Sequence, residues 1–259
     1  MVDRIRHDLH TRRLLLFRDQ GQLPAHVQLK VSEWFGTVQS TFYRHPRSPH
    51  PDIFRVSNDE RQGCRNVGRS GWHIDGSFQD RPFKVQAMHF WETSEGGDTL
   101  FSPLLELIER LDEPTRVLWK RLFFVANGAT VIHPLIYPHP VTGKDTMCFH
   151  CGKPFCETFA IDYDPMQGRA TSGVLSATDT HGVLDQLNQM LSDPAWCYRM
   201  CWRQGDFALV DNLALAHYAT ADTQRDVKEV GLRILHRTTI AGDKMPMCQR
   251  FKPSPPKTS

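Results

Sequence analysis

The sequence predicts a mainly β domain with flanking helices, a sandwich or barrel with a few helices packed outside it. Two observations lead there. Short apolar segments bounded by turn residues recur through the chain, among them ATVIHPLIY, DTMCFHC, DFALVDN and RILHRTTI. Only a few segments place apolar residues at helical spacing.

The elements follow in order. RRLLLFRDQ reads as a short buried strand running into a polar turn. LPAHVQLKVSEWFG sets Val27, Val31, Trp34 and Phe35 at helical spacing, with Gly36 as the stop. VQAMHFWE is a strand, and SEGGDT after it is a turn whose two glycines can take positive φ. SPLLELIERLDE gathers Leu104, Leu105, Ile108 and Leu111 on one helical face. DTHGVLDQLNQMLSDP does the same with Val183, Leu184, Leu187 and Leu191, and Pro194 closes it. No internal repeat is present. The reading is one domain over residues 1–251, followed by a disordered tail, KPSPPKTS, over residues 252–259.

Composition removes several function classes. The chain has 259 residues, 40% hydrophobic and 23% charged, with a net charge of +2. No basic stripe marks a nucleic-acid partner. No apolar run reaches the roughly 18 residues of a membrane span. The start, MVDRIRHDLHTRR, lacks the apolar core of a signal peptide, and its two aspartates count against an organelle address. Seven cysteines, an odd number, argue against a disulfide framework and for a reducing, cytoplasmic setting. A homo-oligomer is left open.

The chemistry sits in two clusters. WHIDGSF holds His73 and Asp75 two residues apart, and on a strand positions i and i+2 share a face. An imidazole and a carboxylate suit divalent iron, and a second histidine would complete a facial triad with three positions open. By itself an HxD pair is weak, because 13 histidines make chance pairs common. GDFALVDNLALAHYATAD supplies the partner, His217, after an apolar strand. GLRILHRTTIAGDK then carries Arg233 and Arg237, which share one face if the segment is an alternating strand. A guanidinium inside a barrel needs an anion, and its fork matches a carboxylate. On a strand surface, the same two arginines would be ordinary solvated charges.

These stretches together resemble the taurine dioxygenase and 2,4-dichlorophenoxyacetate dioxygenase family. The matches are LLLFRDQ, the helix ending in FG, WHIDGSF, GGDTLFS, HPVTGK, GDFALVDN, AHYATAD and HRTTIAGDK, in family order over nearly the whole chain. The resemblance implies a double-stranded β-helix (a cupin-like jelly roll) and an Fe(II)- and 2-oxoglutarate-dependent dioxygenase that consumes O2. It implies oxidation, as a rule hydroxylation, of a small anionic substrate with release of succinate and CO2. By the same resemblance His73, Asp75 and His217 would bind iron. Thr99 and Arg233 would hold the distal carboxylate of 2-oxoglutarate, and Arg237 would grip the anionic group of the substrate.

The chain also departs from the pattern. The interval from His217 to Arg233 is about five residues longer than in taurine dioxygenases, within the polar loop TQRDVKEVG, and loop growth costs little. On the substrate side Tyr43 lies near a family tyrosine, but the histidine that accompanies it has no counterpart in QSTFYRH. Arg69 replaces a smaller polar residue and offers a second anion contact; the alternative is a solvated loop arginine. Two other outcomes are carried forward: a jelly-roll binding protein without catalysis, and a desaturation or rearrangement in place of hydroxylation. Halogenation is disfavoured, because Asp75 stands where a halide would bind. The pairs Cys148/Cys151 and Cys197/Cys201 could form a zinc site, but buried core thiols are expected instead. His150 and His89 are expected to line the core or the pocket, and Trp72 to pack its segment against the core.

Overall fold

The computed structural model describes residues 1–39 and 44–248. Along the chain run α1 (Val2–Arg12), β1 (Leu14–Phe17), α2 (Ala25–Glu33), β2 (Phe54–Ser57), β3 (Val85–Glu92), β4 (Thr99–Pro103), α3 (Leu104–Glu109) and α4 (Glu113–Trp119). Then come β5 (Leu122–Ala126), β6 (Ile132–Pro134), β7 (Ile136–Pro138), β8 (Asp145–Met147), β9 (Cys156–Ile161), β10 (Tyr163–Asp164), β11 (Arg169–Ala170) and α5 (Ala177–Leu191). The last elements are β12 (Tyr198–Met200), β13 (Phe207–Asp211), β14 (Leu215–Ala219), α6 (Val227–Val230) and β15 (Ile234–Ile240).

The main sheet has the order β1-β13-β3-β15-β2, antiparallel throughout. Alternation along its strands separates two cores. Leu14, Leu16, Met88, Phe90, Ala208, Val210 and Leu235 point inward, toward Phe101 of β4 and Leu215 of β14. Val85, Ala87, Phe207, Leu209 and Ile240 point outward, under Leu9 of α1 and Phe35 after α2. The opposing layer is made of the smaller sheets β12-β4-β14, β6-β5-β9 and β7-β8. Helices α3 and α5 cover its core with Leu104, Ile108, Leu184 and Leu187.

Helix ends carry the expected chemistry. Asp112 caps α4 by accepting from the Thr115 N–H (2.8 Å), and Ser176 caps α5 by accepting from the Asp179 N–H (3.1 Å). Gly96 and Gly97 do take positive φ, 72° and 75°. A Cβ on Gly97 would press on Arg233 Cδ at 3.1 Å, so this glycine also makes room for that side chain.

The structure corrects three sequence expectations. WHIDGSF is not a strand: His73 makes only isolated bridges, to His150 and His217. ATVIHPLIY is two short strands, β6 and β7, interrupted at Leu135. The most buried positions within α2 are the polar Gln28 and Ser32, not Val27 and Val31. They face β15, where Gln28 donates to the His236 carbonyl (3.1 Å) and Ser32 Oγ shares a hydrogen with Thr238 Oγ1 (2.6 Å). The charged N-terminal segment, to which the sequence analysis assigns no element, forms helix α1, anchored by buried Leu9. The tail 252–259 lies outside the described residues. No helix among the described residues is long and apolar enough to cross a membrane.

Candidate functional site

His73 and His217 meet across an antiparallel bridge, with N–H to O distances of 3.2 and 2.9 Å in the two directions. That bridge turns both imidazoles toward Asp75. His73 Nε2 lies 3.7 Å and His217 Nε2 3.9 Å from Asp75 Oδ1, and one donor atom from each residue lies within 4.8 Å of the others. These separations are too long for hydrogen bonds and suit three ligands of one ion.

Each part of the set is held from behind. His73 Nδ1 donates to the Gly71 carbonyl (2.7 Å), which leaves the lone pair on Nε2, facing Asp75. The Asp75 backbone is gripped twice by Asn212, whose Oδ1 accepts from the Asp75 N–H (2.8 Å) and whose Nδ2 donates to the Asp75 carbonyl (2.9 Å). Gln86 on β3 in turn donates to Asn212 Oδ1 (2.6 Å). Arg237 Nη1 donates to Asp75 Oδ2 (2.6 Å), so only Oδ1 is turned to the histidines. Burial would raise the Asp75 pKa, but Arg237, His217 and His73 together hold it below the usual carboxylate range. Burial, with His73 nearby, pushes His217 down to about 3, and burial lowers His73 as well. At neutral pH both are therefore neutral, the form in which imidazole binds a metal. Two neutral imidazoles and one ionised carboxylate fit iron(II).

Arg233 enters just before β15, on the inward side. Its guanidinium lies 4.9 Å from the Phe90 ring centre, and its Nε donates to the Gly97 carbonyl (3.3 Å). It is 4% exposed, yet no carboxylate among the described residues stands within ion-pair distance. The nearby acids are otherwise engaged: Asp98 pairs with Arg199 (3.0 Å), and Asp222 accepts from the Gly97 N–H (3.1 Å). Burial lowers the Arg233 pKa to about 10, which still leaves it charged at neutral pH. Thr99 belongs to the same neighbourhood. Its Oγ1 accepts from Trp202 Nε1 (2.9 Å), and Trp202 stacks on Phe90 at 4.0 Å. With that lone pair used, the Thr99 hydroxyl hydrogen remains to be donated.

Beside the triad lies a cavity of ≈ 490 Å³, bordered by His73, Asp75, Arg237 and His150 and by several phenylalanines. Arg69 is not among its lining residues; its Nη1 donates to Asn66 (3.1 Å), while its neighbours Gly68 and Ser70 reach the wall. Tyr43 lies outside the described residues. His150 lines the pocket, as expected, stacked on His73 at 4.6 Å. His89 is buried on the outer side, with Nε2 2.8 Å from the Gly21 carbonyl. Trp72 is buried and donates to Ser192 Oγ (2.9 Å). The sequence reading missed Asn212 and Gln86. The DN step after an apolar strand was their only signal, and it reads equally well as a turn.

A second cluster, His10, Asp211 and His139, also brings three ligand types together, but its chemistry differs. His139 Nδ1 accepts from the N–H groups of Val141 (3.3 Å) and Thr142 (3.2 Å), so its hydrogen sits on Nε2 and goes to Asp211 Oδ1 (3.2 Å). His10 Nδ1 lies 2.7 Å from the other oxygen. This is a hydrogen-bonded bridge from α1 to the body of the protein. No cysteine joins a metal-ligand group among the described residues, and the seven cysteines are free: Cys148 and Cys151 are buried and Cys201 is exposed.

The family model for the taurine catabolism dioxygenases, "TauD, TfdA family", matches residues 1–239. The chain belongs to this family. Fe(II), 2-oxoglutarate and O2, the cofactor and cosubstrates expected from the sequence, are those of the family. An alpha-ketoglutarate-dependent sulfate ester dioxygenase of Pseudomonas putida is 24% identical over 93% of this chain and 81% of its own length. The 3-((Z)-2-isocyanoethenyl)-1H-indole synthase of Fischerella ambigua is 26% identical over 64% of this chain, and the match spans 62% of that protein. A crystal structure of a taurine dioxygenase from Burkholderia xenovorans superposes with a TM-score of 0.73 at 24% identity, covering 97% of this chain and 84% of that one. That likeness shows the fold, the mainly β jelly roll of the family.

Proposed function

We propose that this family member couples oxidation of a small anionic organic molecule to decarboxylation of 2-oxoglutarate, using His73, Asp75 and His217 as its metal ligands. For a hydroxylation the balance is R–H, 2-oxoglutarate and O2 giving R–OH, succinate and CO2. The observation that carries the reading is the triad: two buried histidines and a half-buried aspartate with donor atoms within 4.8 Å of one another and no hydrogen bond among them. Bound iron(II) would supply the redox chemistry that O2 needs.

The chain's own residues do the positioning. Arg233 and the Thr99 hydroxyl would take the distal carboxylate of 2-oxoglutarate, since a buried guanidinium without an anion is costly. Arg237 fixes Asp75 through Nη1, while its Nε has no hydrogen-bond partner among the described residues. The fork can therefore hold Asp75 and still offer a donor to a substrate anion. Residues 1–251 would act as one catalytic domain, working in the cytoplasm.

Anaerobic addition of iron(II) and 2-oxoglutarate should produce a weak visible charge-transfer band, absent in Asp75→Ala. Well-folded protein that gives no band would sink the assignment and favour a jelly-roll binding protein.

A further inference from the structure

The polar loop after His217, TQRDVKEVG, contributes Gln224, at the end of a short 3-10 turn (Ala221–Gln224). The Gln224 side chain is tied at both of its polar atoms. Nε2 donates to the carbonyls of Ser57 (3.3 Å) and Thr223 (3.0 Å). Oε1 accepts from the Asn66 N–H (3.1 Å) and from Arg65 Nε (3.3 Å). On the other side of Arg65, Cys64 bridges β2. It donates its N–H to the Arg55 carbonyl (2.9 Å), and its carbonyl accepts from the Ser57 N–H (3.0 Å). The backbone is therefore pinned on each side of Arg65, and its Nε is committed to Gln224. Its two Nη groups have no hydrogen-bond partner and no carboxylate partner among the described residues. Arg65 lines the cavity beside the triad. Arg237 lines the same cavity but is 8% exposed, so it marks the inner end, whereas Arg65 is exposed and marks the mouth. Asp75 is the one carboxylate among the lining residues, and Arg237 already holds it at 2.6 Å. The wall thus carries two guanidinium groups against one carboxylate. Phe54, Phe78, Phe83 and Phe155 make much of the rest apolar. A guanidinium whose fork is open matches an oxyanion such as a carboxylate or sulfonate. A cleft of one charge sign also concentrates ligands of the other.

Building on the oxygenase reading above, we propose that Arg65 is a specificity-determining residue that takes a second acidic group of the substrate at the cavity mouth. The substrate is then a diacid, two oxyanion groups joined by an apolar spacer that crosses the phenylalanines. Gln224 is a positioning residue: by occupying Nε it turns the free Nη groups of Arg65 to the cavity. A hydroxylation of this diacid consumes one C–H, one 2-oxoglutarate and one O2 and releases succinate and CO2.

Alkane-α,ω-disulfonates and alkane-1-sulfonates, propane to octane, test this in pairs of equal chain length. Sulfonates keep the probe distinct from 2-oxoglutarate, itself a dicarboxylate. Calorimetric binding is measured without oxygen on protein loaded with iron(II) and 2-oxoglutarate. At one chain length or more, the disulfonate should bind about tenfold more tightly than its monosulfonate, the return expected of one charge-assisted contact. Arg65→Gln should bring that ratio close to one and leave the charge-transfer band unchanged, while Arg65→Lys should keep part of the ratio. Gln224→Ala should lower disulfonate affinity and spare monosulfonate affinity, whereas a general loosening of the loop would lower both. Equal binding of the two probes at every length overturns the proposal. So does an unchanged ratio in Arg65→Gln, and so does a failure of every disulfonate to bind. A band without a disulfonate preference removes the second anion position and leaves the oxygenase reading standing. If no band forms, the oxygenase reading falls, and the binding ratio on the same protein still decides for or against Arg65.

Discussion

Asp75 uses its two carboxylate oxygens for different partners, and its neighbours decide which is which. Oδ2 is held by Arg237 and Oδ1 faces the two histidines. Arg237→Gln removes the charge that holds Oδ2 and leaves a buried carboxylate free to turn. Loss of such an outer partner typically weakens a metal site by about 10–100-fold, and an anaerobic iron(II) titration of the charge-transfer band should read a loss of that order. Unchanged affinity would mean that Arg237 serves the substrate alone. Arg233 predicts a different defect. Truncating one member of a buried charge pair costs about 2–5 kcal/mol, so Arg233→Leu should weaken 2-oxoglutarate binding about 30-fold or more, with iron affinity little changed. The ratio of the two titrations separates the two arginines, although they lie only four residues apart and both on the inward side of the main sheet.

Secondary-structure elements explain what could be read from the sequence and what could not. The inward alternation of Arg233 and Arg237 was legible because β15 is a strand paired on both edges, to β2 and β3. The three candidate ligands, His73, Asp75 and His217, were legible as residues, but their setting was not. The HxD spacing suggests a strand for His73 and Asp75, whereas the structure holds them in a turn segment fastened by single bridges at His73 and by Asn212 at Asp75. Such a fastening depends on contacts distant in sequence, 137 residues for Asp75 and Asn212, and no local pattern announces it. The polar buried face of α2 was illegible for a related reason. Gln28 and Ser32 are inside because β15 offers them partners, and apolar spacing says nothing about partners. Asn212 sits at the end of β13 and makes four hydrogen bonds to the loop and to β3. Asn212→Ala strands those groups in a buried place, each worth about 1–3 kcal/mol. Net destabilisation of about 3 kcal/mol or more is expected in urea unfolding, together with weaker iron binding. A fully stable Asn212→Ala protein would show that the loop holds Asp75 by itself.

At the scale of the whole molecule, buried histidines set the response to acid. His236 lies on the outer side of the main sheet, where burial and then Arg55 push its pKa from 6.5 down to about 3. Arg55 Nη1 lies 2.6 Å from His236 Nε2 and must donate to it, so that nitrogen is unprotonated in the folded protein. Below about 6.5 the unfolded chain takes up a proton that the folded protein refuses, so stability falls as pH drops from about 6.5 toward 3. His217 adds to the same slope in metal-free protein. Urea midpoints of the metal-free protein should therefore decrease between pH 7 and pH 5, and less steeply in His236→Gln. A midpoint that rises on acidification would contradict this account. The two faces of the main sheet also bear on how the protein is handled. Asp211 and Asn212 are consecutive, and alternation sends their side chains to opposite sides: Asp211 to His10 of α1, Asn212 to the backbone of Asp75. The first helix and the proposed metal-binding carboxylate of Asp75 thus share one peptide unit as a common fulcrum. An affinity tag or a trimmed start at α1 is leverage on that fulcrum, and iron loading measured on such a protein reports partly on its own leading end.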